Sequence, residues 1–115
     1  MKLTFIEQPE FSTVRDELFG TEGVSSNFRR LQSALMRDPR AGSVIPGAGG
    51  ARKVRWMRAG RTGGKSGGIR VIYYYNEQKS RILLLRTYAK NQQDDLTSQQ
   101  ARQISGEIDI ERSSS

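Results

Sequence analysis

The sequence predicts an α+β fold in which helices flank a small antiparallel sheet, and three patterns carry that reading. Residues 69–75 and 81–89 are β-branched, aliphatic and aromatic, and the turn Asn76-Glu77-Gln78-Lys79 separates them. Phe28, Leu31 and Leu35 fall at i, i+3 and i+7, the spacing of one helical face. Thr97 with Gln100 three residues on forms a capping-box sequence ahead of Ala101, Ile104 and Ile108. The expected order is β-α-α-β-β-β-α within one domain of residues 1–112, followed by a disordered tail at 113–115.

Along the chain, Lys2 to Ile6 reads as a short strand, and Pro9 opens a helix carrying Phe11, Val14 and Leu18. Gly20 to Gly23 interrupts it, and Ser25 to Asn27 offer an N-cap for the Phe28 helix. That helix ends before Asp38-Pro39, because the residue preceding proline resists the helical region. Residues 38–50, rich in Pro and Gly, read as a loop. Strands near 51–58, 69–75 and 81–89 form a meander, and Gly106 weakens the last helix.

The chain of 115 residues has no cysteine and no histidine. Disulfides, thiol nucleophiles, Cys-based zinc sites and histidine-dependent acid–base pairs are therefore absent, and no metal site or cofactor is expected. The N-terminus meets a charge and a proline too early for a signal peptide or a membrane span, so a soluble cytoplasmic protein is expected. Ala59 to Ser66 approaches a phosphate-loop motif, but a strand comes next where that motif requires a helix. Asp94 and Asp95 read as solvated or capping residues, since no second acidic pair accompanies the basic strands.

Charge is the most functional signal. Residues 51–70 hold Arg52, Lys53, Arg55, Arg58, Arg61, Lys65 and Arg70 and no acid, and removing these seven from nineteen cations leaves twelve against twelve acids. Such a concentration suits a nucleic-acid backbone. Side chains alternate across a strand, so Lys53 and Arg55 share one face, Arg70 shares a face with Ile72 and Tyr74, and Arg86, Tyr88 and Lys90 align opposite Leu83, Leu85 and Ala89. If these faces coincide, the cations and Tyr88 line one surface. Tyr73, Tyr75 and Trp56 are expected in the core.

The strings Asp38-Pro39 with Gly42, Val44-Ile45-Pro46-Gly47-Ala48-Gly49-Gly50-Ala51-Arg52-Lys53-Val54-Arg55, Gly67-Gly68-Ile69-Arg70-Val71-Ile72-Tyr73-Tyr74, Leu84-Leu85-Arg86-Thr87-Tyr88-Ala89-Lys90-Asn91 and Asp95-Leu96-Thr97 occur in that order. Together they resemble the RelE-type bacterial toxins, in particular their HigB-like branch. The resemblance implies a curved antiparallel sheet and a ribosome-dependent messenger-RNA endonuclease, an mRNA interferase acting in the ribosomal A site. It also implies an antitoxin partner, expected as a helix-turn-helix protein in a toxin–antitoxin hetero-oligomer, and no membrane. Carried over by position, Lys53, Arg55, Arg70, Tyr88 and Lys90 are its catalytic residues. Arg52, Arg58, Arg61, Lys65 and Arg86 are expected to add nucleic-acid contacts. The loop 60–66 is slightly longer and less uniformly basic than the family's usual run.

The chemistry expected from these residues is metal-independent: the RNA's own 2′-hydroxyl attacks the adjacent phosphate and Arg70 stabilises the phosphorane. Tyr88 or a lysine supplies acid and base, with a phenol pKa lowered by the neighbouring cations. The rival reading is a non-catalytic RNA- or DNA-binding module that uses the same surface for backbone contacts.

Overall fold

The computed structural model describes residues 2–21, 26–58 and 68–114. The Ser25 end of the expected N-cap, the loop with Arg61 and Lys65, the phosphate-loop-like string and Ser115 lie outside the described residues. The elements run β1 (Thr4–Glu7), α1 (Pro9–Phe19), α2 (Ser26–Arg37), β2 (Ser43–Val44), β3 (Arg52–Trp56), β4 (Ile69–Asn76), β5 (Arg81–Ala89) and α3 (Ser98–Ser113). They form an α+β structure built on one five-stranded sheet of order β1-β5-β4-β3-β2.

The expected meander is present as β3-β4-β5, all antiparallel. Two features correct the expectation. The sheet is mixed, because β1 lies parallel to β5 with Ile6 opposite Leu83. In addition, Ser43–Val44 inside the expected loop pairs with β3 as a two-residue edge strand. Neither has a sequence signature: two residues show no periodicity, and strand direction is set by the chain path rather than by composition.

Each face of the sheet is covered by helix. On one side, Phe11, Phe19 and Phe28 of α1 and α2 meet with ring centroids 5.4–6.2 Å apart and pack with Val71, Tyr73, Ile82 and Leu84. Burying each such ring contributes about 2–3 kcal/mol. On the other side, Ile104 and Ile108 of α3 pack with Ile72, Leu83 and Leu85. Tyr73 is in the core as expected, where its hydroxyl donates to Pro39 O (2.8 Å) and accepts from Gly42 N (2.9 Å). Trp56 packs on the α1–α2 side, and its indole N–H donates to Asn27 Oδ1 at 2.8 Å.

The pairing of β4 with β5 slips between Ile72 and Tyr73: Ile72 faces Arg86 and Tyr73 faces Leu84, which leaves Leu85 as an extra residue. A bulge of this kind puts two successive side chains on one face. Strict alternation is therefore corrected at this point, since Leu83, Leu85 and Tyr88 all belong to the α3 side while Ala89 joins the α1–α2 core.

The capping box of α3 forms as expected, with Gln100 N donating to Thr97 Oγ1 and Thr97 N donating to Gln100 Oε1. The helix continues through Ser113, into the stretch expected to be a tail, and Ser114 N donates to Ile110 O. Its C-terminal turn is pinned by Glu111, which accepts from Asn76 Nδ2 (2.7 Å) and from Arg81 Nε (2.6 Å). Burial raises the Glu111 carboxyl pKa, but these two donors together with the charges of Arg81 and Lys79 outweigh it and hold the group below the usual carboxylate value. Among the described residues no helix is long and apolar enough to cross a membrane.

Gly106 lies inside α3 with open space where a side chain would be. Gly106→Ala is expected to stabilise the protein by about 0.5–1 kcal/mol, because alanine loses less backbone freedom on folding. Chemical denaturation of the two proteins measures this difference directly.

Candidate nucleic-acid interface

β3, β4 and β5 place Arg55 opposite Arg70 and Arg70 opposite Tyr88, so these three side chains form one row across the sheet. Neighbouring strands lie about 4.8 Å apart, so the row spans about 10 Å. Lys53 is two residues along β3 on the same face. Lys90 follows Tyr88 by two positions just past β5, where its amide donates to Gly68 O at 3.1 Å. Gly68 itself is held at φ +63°, and a Cβ there would collide with Trp56 O. Only glycine lets β4 begin so close to β3, which fixes the register that aligns Arg70 with Arg55.

Like charges directly opposite one another on a sheet destabilise it. The Arg55 and Arg70 pair is therefore a structural cost. Arg70 is not the exposed strand cation that alternation suggested. It is only 5% exposed.

The segment that joins β5 to α3 supplies a residue that the sequence reading assigned to solvent. Asp95 Oδ1 accepts from Lys53 Nζ at 2.9 Å across 42 sequence positions. The bond to Lys53 and its charge, with a smaller part from Arg70, hold the Asp95 carboxyl below its usual pKa. No periodicity relates residues 53 and 95, so the one available signal was the position of Asp95 immediately ahead of the capping box that starts α3.

Tyr88 also departs from expectation. Its hydroxyl is buried and has no hydrogen-bond partner among the described residues. Burial pushes its pKa up; Asp95 and, more weakly, Asp94 add to the rise, and Arg70 opposes it. The anticipated lowering by neighbouring cations is thus overturned, because desolvation and the carboxylates outweigh Arg70.

The wider basic set is divided. Arg52 faces Tyr73 on the α1–α2 side, where its Nη1 donates to Gly42 O at 2.8 Å, and Arg58 lies 3.6 Å from Glu17 of α1. Arg86 reaches α3: its guanidinium pairs with Glu107 at 2.7 Å and donates to Leu85 O at 2.7 Å, with Glu10 at 3.7 Å. These three cations, expected to contact RNA, each have a partner within the protein: Arg52 on the α1–α2 side of β3, Arg58 beside α1 and Arg86 beside α3. The face that remains joins Lys53, Arg55, Arg70, Tyr88 and Lys90, the set the resemblance singled out.

No family model matches the chain. Among solved structures it superposes on a free-state mutant of the E. coli toxin RelE with a TM-score of 0.58 at 11% identity, covering 94% of this chain and 98% of that one. The fold is that of RelE. An intact E. coli RelBE toxin–antitoxin complex also matches, with a TM-score of 0.53 at 14% identity over 75% of this chain and 94% of that one. The RelE fold thus persists here although nearly nine residues in ten differ, as expected when a sheet and its two helical layers are specified by apolar pattern.

Two outcomes are expected. Arg86→Ala should lose about 3 kcal/mol of stability in a denaturant titration, because it removes the cation from the half-buried Glu107 and leaves that carboxylate only the neutral donor Gln8 Nε2. Alkaline ultraviolet titration of the protein and of Tyr88→Phe should assign to Tyr88 an ionisation above the usual tyrosine value of 10.0. A difference spectrum centred at or below that value would remove the desolvated environment inferred for the hydroxyl.

Proposed function

We propose that this protein is the toxin of a type II toxin–antitoxin pair, of the HigB-like branch, and that it cleaves messenger RNA in the ribosomal A site of the cytoplasm. The observation that carries the reading is the Arg55, Arg70 and Tyr88 row on a sheet of RelE fold, bordered by Lys53 and Lys90. Backbone binding alone needs cations, whereas a buried phenol beside a buried arginine is a proton donor placed next to a charge stabiliser.

In this scheme the 2′-hydroxyl oxygen bonds to the adjacent phosphorus, the bond to the 5′-oxygen of the next nucleotide breaks, and the 2′-proton passes to a base. Arg70 offers bidentate donors to the non-bridging oxygens as charge builds on them. Arg55 and Lys53 hold flanking phosphates. The raised pKa of Tyr88 suits the acid role: it is protonated at neutral pH and delivers its proton to the departing 5′-oxygen. Removal of the 2′-proton falls to Lys53 or Lys90. The likeness to a chain found in the RelBE complex supports an antitoxin as the second partner.

The upstream product should end in a 2′,3′-cyclic phosphate or 3′-phosphate and the downstream product in a 5′-hydroxyl, unchanged by chelator, when purified protein acts on programmed ribosomes. A 5′-phosphate abolished by chelator would refute the scheme. Arg70→Lys keeps the charge at this buried position but loses the fork, and should slow cleavage about a hundredfold at an unchanged melting temperature. Tyr88→Phe should lower cleavage comparably while leaving binding of an uncleavable RNA intact. Equal cleavage rates for all three proteins would remove Arg70 and Tyr88 from the chemistry, and RNA bound without any cleavage by the parent protein would favour the non-catalytic binding module.

A further inference from the structure

The face assigned to RNA carries its own anion. Asp95 stands on the segment between β5 and α3, its side chain 76% exposed, yet its carboxylate is bonded to Lys53 at 2.9 Å. It also lies within electrostatic reach of Arg70 and of Tyr88. Arg70 is only 5% exposed, and the Tyr88 hydroxyl is buried without a hydrogen-bond partner among the described residues. A phosphate approaching Arg70 therefore meets a carboxylate already seated among the cations it needs.

The segment is anchored mainly by local contacts, and Lys53 supplies its bond to the basic face. Leu96 packs against the α3 core and Gln93 donates to Asp95 O and to Gln100 Oε1, so both ends of the stretch are tied to its own chain neighbours or to α3. The bond from Asp95 to Lys53 ties it to β3. An exposed ion pair of this kind is weak and screened by salt, so a polyanion can replace the carboxylate at little cost.

We propose that Asp95 is a placeholder for substrate phosphate: it occupies Lys53 in the unliganded protein, and RNA binds by displacing it, which frees Lys53 for the phosphate. The inference rests on the RNA reading of this face and adds to it a positioning residue that sets affinity by competition. A carboxylate on the approach to the cations also rejects weakly held anions, since only a ligand that contacts several cations at once outcompetes an intramolecular partner.

The test uses the full chain and a short single-stranded RNA with 2′-O-methyl groups throughout, which binds without being cut. Asp95→Asn should tighten binding about three- to tenfold, more than an exposed pair alone is worth because a like charge is removed as well. Asp94→Asn removes the same charge one residue away and should give a clearly smaller gain. In a Lys53→Gln background the excess of Asp95→Asn over Asp94→Asn should vanish, a non-additivity that general charge loss does not produce. Amine-directed labelling of Lys53 should rise in Asp95→Asn, and addition of the RNA should protect Lys53 in both proteins.

The outcomes separate the two claims. If affinity for the RNA depends on Lys53 while Asp95→Asn is no tighter than Asp94→Asn, the RNA reading stands and the placeholder role is refuted. If affinity is indifferent to salt and to Lys53→Gln, both fall. A weaker Asp95→Asn complex would also overturn the proposal, since it would make Asp95 a supporter of binding rather than a competitor.

Discussion

The structure depends on the slipped pairing of β4 with β5. These two strands occupy the centre of the sheet and supply apolar side chains to both helical layers. The extra residue at Leu85 reconciles two demands that strict alternation sets against each other. Leu83 and Leu85 must meet Ile104 and Ile108, and two rows further on Tyr88 must stand beside Arg70 on that same face. Without the slip, either the leucines or the tyrosine would point into the α1–α2 core.

From that register comes the division of the charges. α3 crosses the end of the sheet where Arg81 and Arg86 stand, and its Glu107 and Glu111 neutralise them. Glu17 and Glu107 of the helices thus meet Arg58 and Arg86 away from the row of Arg55, Arg70 and Tyr88. What is left at that row is a face of one sign, with an arginine pair that no fold would keep for stability alone. Asp95 is the exception, and its position at the start of α3 makes it the point where the structural layer and the basic face meet.

The same layout accounts for the environment of Tyr88. It lies at the margin of the apolar cluster under α3, so its ring is packed while its hydroxyl looks toward Arg70 and the 90–97 segment. Burial and carboxylates keep the phenol protonated, against the single favourable charge of Arg70. The balance of desolvation against charge is decided by the cover above the residue rather than by how many cations are near it in sequence.

How much of this was written in the chain varies by the range of the interaction. Local rules specified the helices through the 3.6-residue spacing of Phe28, Leu31 and Leu35, the start of α3 through Thr97 and Gln100, and β4 and β5 through their β-branched and aromatic runs. Period-two alternation further put Lys53 and Arg55 on one face of β3 and Arg70 on a face of β4, and the register of the sheet brought those faces together. The parallel pairing of β1, the bulge at Leu85, the burial of Arg70, the capture of Arg86 by α3 and the bond between Lys53 and Asp95 came only from the tertiary structure. Each of these joins residues far apart in sequence, where no periodicity operates, and each is settled by which surface a neighbouring element happens to cover. Residue type and spacing determined which groups this protein has and which way its strands turn them; desolvation and long-range pairing decided which of those groups meet.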